Sequence, residues 1–157
     1  MKNADDLTGH ELIYLVGMTF QLLLGEFVGR LDERGYEDVR PIDGMALQVL
    51  KGGGATGTEL AAALGITKQA VSGMIVHLEE HGYVVRVQHP SGGRRQLIQL
   101  TERAYEHLEV AGAVLRDLEA EVIGQTGRIP MYTLRMTLAE MIVSLSGGNI
   151  PPLRPTW

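Results

Sequence analysis

The chain has 157 residues, 45% of them apolar and 21% charged, enough to bury one substantial core in a single domain. Its 14 Lys and Arg stand against 19 Asp and Glu, a formal net charge of −5 that repels polyanions, and the absence of cysteine excludes disulfides, thiolate metal sites and thiol redox sensing. The charge is uneven: residues 1–50 sum to −5, residues 51–100 to +2 and residues 101–157 to −2, so the middle third is a basic island.

From Glu11 the apolar positions Ile13, Val16, Phe20, Leu23, Phe27 and Leu31 recur every three or four residues, which predicts a first long amphipathic helix ending near Gly35 and Tyr36. Its most apolar stretch, Leu12 to Leu24, is broken by Gly17, Thr19 and Gln21 and is followed by Glu26, which reads as too short for a membrane span. No secretory signal is legible at the acidic start, so a cytoplasmic protein with no membrane partner is expected. Pro41 suits the first turn of a short second helix with Ile42, Met45, Ala46, Val49 and Leu50 facing inward.

Glycines from Gly52 to Gly57 interrupt the pattern. A short helix is expected from Thr58 to Leu64, then a turn at Gly65-Ile66, then a helix capped by Thr67 and ended by Gly82, which is helix-turn-helix spacing. Tyr83 to Gln88 and Gln96 to Leu100 read as two strands flanking a basic loop, His89 to Arg95. Thr101 restarts helix, and Ala104, Leu108, Ala111, Leu115, Leu118 and Val122 form a second stripe. Met131, Leu134, Leu138, Met141 and Leu145 form a third after Pro130, and the proline-rich 147–157 reads as an irregular tail. Long helices from both termini thus enclose a central helix-turn-helix with a hairpin.

Gly52-x-Gly54-x-x-Gly57 has the letters of a dinucleotide fingerprint, but a helical pattern precedes it where a strand is required, and Thr58 stands where a phosphate loop needs Lys; it reads as a connecting loop. His77 and His81 lie one helical turn apart, yet no further ligands accompany them, so they read as solvated polar residues, with no metal and no cofactor expected. No nucleophile elbow or carboxylate pair suggests an enzyme.

The helix from Thr67 carries the strongest signal. Ala70, Val71, Met74, Ile75 and Leu78 would face the core, leaving Lys68, Gln69, Ser72, Gly73 and Val76 outward as a short, polar, uncrowded face. Such a face can approach base edges in the major groove: Gln69 suits adenine, Lys68 guanine or a phosphate, and Thr67 and Ser72 phosphate oxygens. The alternative is an ordinary surface helix. At the hairpin tip Arg94 and Arg95 could enter the minor groove beside it, or simply make a charged turn.

Leu60 to Glu102 resembles the MarR family of winged-helix regulators, through LGITKQAVS, LEEHGYVVR, the Pro90-x-x-Gly93-Arg94-Arg95 wing and Leu100-Thr101-Glu102 in the family's order, and the flanking long helices fit its layout. The resemblance implies a mainly α fold with a small β-hairpin. A winged helix-turn-helix layer would span 37–100, and dimerisation helices would span 8–35 and 101–146. It further implies a homodimer on palindromic double-stranded DNA, with family roles carried by Thr67, Lys68, Gln69, Ser72, Arg86 and Arg94. Gly73, Val76, His89 and Gly92 depart from the family's usual residues; Gly92 replaces an aspartate that braces the wing arginine. Relatives are typically released from DNA by small aromatic or lipophilic effectors, and by analogy such a pocket would use Phe20, Phe27, Tyr36 and Met45, unless these simply fill the core. The leading expectation is a repressor; the alternative is a winged-helix protein-interaction module with little DNA affinity.

Overall fold

The computed structural model describes residues 4–92 and 95–152. Seven helices and two strands follow in the order α1 (Ala4–Leu7), α2 (Leu12–Asp32), α3 (Pro41–Leu50), α4 (Gly57–Leu64), α5 (Lys68–Glu80), β1 (Val84–Gln88), β2 (Gln96–Leu100), α6 (Glu102–Thr126) and α7 (Arg128–Leu145). The mainly α winged-helix class expected from the sequence is the one observed, with the one-turn α1 as an addition.

Caps explain the boundaries. Asp43 starts α3 by accepting the backbone N–H of Arg40 at 3.0 Å and its guanidinium at 2.7 and 2.9 Å, which allows a carboxylate to be fully buried there. Helix α4 starts at Gly57, one residue before the expected Thr58, and is capped by Thr56: Thr56 accepts from Glu59 N, and the Glu59 carboxylate accepts from Thr56 N and Oγ1 at 2.8 Å each, a reciprocal capping box. Thr67 caps α5 as expected, accepting from Ala70 N at 3.1 Å, and Thr101 caps α6 while donating to Gly82 O at 2.7 Å.

The strands pair antiparallel, Val84 opposite Leu100 through Gln88 opposite Gln96, and the glycine run does more than connect. Ala55 exchanges two backbone hydrogen bonds with Ile98, at 3.1 and 2.9 Å, an isolated bridge to the middle of β2 on the edge away from β1. Gly54 makes this possible: it has φ of +92°, and a Cβ there would stand 2.6 Å from Ile98 O.

Two apolar clusters share α6. The larger joins α3, α4, α5, β1, β2 and the start of α6; the smaller packs Leu31 of α2 against Ala111, Val114 and Leu118, with Phe27 and Tyr36 at its edge. Helix α6 turns Val114 and His107 inward and leaves the expected Leu115 half exposed. In α3, Leu47 and Asp43 join Ala46 and Leu50 inside, while Ile42, Met45 and Val49 are only half-buried. Along the outer stripes Ile13, Val16 and Leu23 of α2, and Leu134 and Leu145 of α7, are exposed among the described residues.

The apolar stretch read as ending at Leu24 continues as helix to Asp32, so α2 is long and apolar enough to cross a membrane by length and composition, contrary to the expectation. Over its last turns α2 has a protein partner, since Arg30 forms two 2.7 Å bonds to the Glu121 carboxylate of α6 and Leu31 is buried against the same helix.

Candidate nucleic-acid interface

Helix α5 is seated by Val71, Met74, Ile75 and Leu78, all buried; Ala70, expected inside, is exposed. Lys68, Gln69, Ser72, Gly73 and Val76 face outward as expected. Nothing lies within 4 Å of where a Gly73 Cβ would be, so the centre of this face is open to close approach.

Between α5, the N-terminus of α4 and the hairpin lies a concavity of about 550 Å³ lined by Lys68, Ser72, Arg86, His89 and Arg95 together with Thr56, Thr58, Glu59 and Gln96. The fold therefore brings Lys68 and Ser72 of the helix to the same groove as Arg86 and Arg95 of the hairpin. Thr67 and Gln69 sit at the exposed start of α5, outside this lining. Arg94 lies outside the described residues.

The polar groups in the groove are not equivalent. Ser72 Oγ donates back to Lys68 O at 2.9 Å, so its proton is committed within the helix, whereas Thr67 uses its oxygen to accept and keeps its proton available. Arg86 is held by Glu79 of α5, Nε to Oε2 at 3.1 Å, which both aims it and neutralises it. Lys68 and Arg95 form no ion pair among the described residues. Glu59 is kept below the usual carboxylate range, chiefly by the Thr56 backbone N–H and then its hydroxyl, and so stays ionised inside an otherwise basic groove.

His89 is bonded within its own turn. Its Nδ1 accepts from Ser91 N at 3.2 Å and from Ser91 Oγ at 2.6 Å, its carbonyl accepts from Gly92 N at 2.8 Å, and its N–H donates to Arg95 O at 3.1 Å, closing the turn that leads into the wing. With two donors facing Nδ1, the neutral ring carries its proton on Nε2. Thr56, Thr58, Glu59 and Gln96 were not singled out from sequence. The first and third were legible as the Thr-x-x-Glu capping pattern, but their place in the groove is a matter of packing.

His77 and His81 are not solvated as expected. His77 Nε2 bonds Asp38 O at 2.8 Å, His81 Nδ1 bonds His77 O at 2.7 Å, and the two rings touch at 4.3 Å between centroids. Among the described residues no cluster of three metal-ligating side chains exists.

Of the residues named for an effector pocket, Tyr36 and Met45 pack on the larger core and Phe27 on the smaller, while Phe20 lies half exposed on α2. Tyr36 also meets the His107 ring edge-on at 4.7 Å. His107 is buried, its Nδ1 is without a hydrogen bond, and burial holds its basicity below the ordinary imidazole value, against a weaker upward pull from Asp38.

A family model described as "MarR family" matches residues 37–95, the segment that carries this groove. Over that segment the chain is similar to the MarR family. Among solved structures it is similar over 87% of its length to MepR, a transcription regulator of the Staphylococcus aureus multidrug efflux pump MepA, covering 99% of that chain at 22% identity with a TM-score of 0.72. A MepR mutant bound to an oligodeoxyribonucleotide matches with a TM-score of 0.63 at 22% identity, 87% of this chain and 99% of that one. A Mycobacterium tuberculosis MarR-family protein in complex with salicylic acid shares 26% identity over 84% of this chain and 96% of that chain, with a TM-score of 0.63. A search of curated protein sequences gives no significant match.

Proposed function

We propose that this chain is a MarR-family transcription regulator, a cytoplasmic homodimer that binds a palindromic operator on double-stranded DNA and represses transcription until a small aromatic or lipophilic effector releases it. The observation that carries the DNA reading is the groove in which Lys68, Arg86 and Arg95 converge from α5 and the hairpin in a chain whose net charge is −5. In this reading Lys68, Thr67, Arg86, Arg94 and Arg95 contact phosphates or the minor groove, Gln69 reads a base edge, and Ser72 contributes only as an acceptor unless its hydroxyl rotates. The layers divide the work, 37–100 on DNA and 8–35 with 101–146 in the dimer, a division supported by the exposed apolar side chains Ile13, Val16 and Leu23 of α2 and Leu134 and Leu145 of α7 among the described residues. An effector is supported by the salicylic acid complex of the M. tuberculosis relative. Phe27, Tyr36 and Met45 would open to admit it beside Phe20.

Operator selection from random duplexes tests this reading. An enriched palindrome with half-sites about one helical turn apart, ~34–36 Å, is expected. On that operator log affinity should fall with log salt at about −0.9 per phosphate contact, and Lys68→Ala, changed in both protomers, should flatten the slope by about 1.8. No enrichment at low salt overturns the proposal.

A further inference from the structure

Asp38, in the connection between α2 and α3, is touched by three other elements. Its Oδ1 accepts the Tyr83 hydroxyl at 2.8 Å from the start of β1, its Oδ2 accepts Arg103 Nη2 at 3.1 Å from the first turn of α6, and its carbonyl accepts His77 Nε2 at 2.8 Å from the last turns of α5. Arg103 also lies over the Tyr83 ring, 4.6 Å from its centroid, and bonds the Tyr83 oxygen at 3.2 Å. Tyr83 is fully buried, and the ring of His107, one turn along α6, meets it edge-on at 5.9 Å. One side chain and its own carbonyl thus join the end of the outward-facing helix to the long helix that reaches from the winged layer to the smaller core.

We propose that Asp38 is a positioning residue that fixes the angle between α5 and α6, and through it the half-site spacing that this protein accepts on DNA. The inference rests on the DNA-binding reading for its second half only. Apolar contacts between packed helices tolerate sliding, because dispersion and burial are weakly directional. Charge-assisted hydrogen bonds are directional, and Asp38 spends both carboxylate oxygens on two different elements. Without them α5 keeps its buried face and its fold, but the angle it makes with the dimer helices is no longer set to one value. In a dimer two such angles add, so the distance between the two outward faces is where the loss shows.

The chain has no cysteine, which makes site-directed spin labelling clean. Gln69→Cys on α5 and Asp117→Cys on α6, both exposed, carry nitroxides in one protomer diluted into excess unlabelled protein. Pulsed electron resonance should give a narrow distance distribution for the otherwise wild-type chain and a broadened one for Asp38→Asn. Arg103→Gln, at a half-exposed side chain, is the second variant in case the first folds poorly, and it should broaden the distribution as well. Distributions as narrow as wild type in both variants overturn the proposal.

Operator selection with spacers varied by two base pairs, about 7 Å along the duplex, supplies the functional readout. The wild-type preference for one spacing should fall about tenfold in each variant, the scale of one charge-assisted hydrogen bond, while base preference within a half-site stays unchanged. A broadened distribution with an undiminished spacing preference overturns the link to DNA. A wild-type chain that enriches no palindrome defeats the DNA-binding reading instead, and the distance distributions still decide the role of Asp38.

Discussion

Replacing Gly54 by alanine tests how the hairpin is attached. The added Cβ would lie 2.6 Å from Ile98 O, 3.1 Å from Gln99 Cγ and 3.2 Å from Leu97 Cγ, and the backbone there has φ of +92°. The nearest atom is a backbone carbonyl already accepting Ala55 N–H, so it cannot turn aside as a side chain would. Strain at positive φ costs roughly 1–3 kcal/mol. Parting the strands also weakens the two Ala55–Ile98 bonds, worth about 0.5–1.5 kcal/mol each. The total of roughly 2–6 kcal/mol is a large share of the 5–15 kcal/mol typical of a domain. Gly53→Ala is the control, because it has φ of +115° with open space around it and should show the strain alone. Urea unfolding followed by circular dichroism, at one protein concentration because self-association adds to stability, compares the two. If Gly54→Ala loses no more stability than Gly53→Ala to within about 0.5 kcal/mol, the contact argument is wrong.

If the proposed interface is right, Glu79→Gln should free Arg86 and remove an anion beside the groove, so affinity for the selected operator should rise and its salt slope steepen by up to about 0.9 per protomer; unchanged slopes would mean that Arg86 already leaves Glu79 when DNA binds. His107 is less basic folded than unfolded, so the unfolded chain takes up its proton first and stability falls as pH drops below the ordinary value of 6.5, until the folded imidazole also protonates. His107→Phe should therefore flatten the acid side of the urea-midpoint profile relative to wild type, and parallel profiles would refute this. Gly73 is helical and open, so Gly73→Ala should stabilise by about 0.5–1 kcal/mol in the same unfolding assay, a loss of stability arguing for an unseen contact.

Local chemistry explains why so much of the fold could be read in advance. The Thr67 and Thr101 caps, the glycine at 82 and the alternation of Val, Leu and Ile in the strands act within a few residues of chain, and each appears where expected. The inward faces were read less well. Periodicity marks an apolar stripe but not which edge of it meets a neighbour, so Leu115 proved exposed while Val114 is inside, and Ala70 lies outside while Leu47 is buried. The histidines misled for a related reason: helical spacing placed His77 and His81 at a helix end, but the carbonyl of Asp38 that fixes one of them is 39 residues away in sequence.

By itself the sequence determined the order and kind of the elements, the basic character of the middle third and the short polar face of α5, since caps, glycines and charge patterns depend on neighbours along the chain. Only the tertiary structure decided that Lys68 shares a groove with Arg86 and Arg95, that Glu79 neutralises Arg86, that His89 closes the wing turn, and that Asp38 ties three elements together. Those are pairings between segments whose relative placement follows from how two cores pack around α6, and distance along the chain does not encode it.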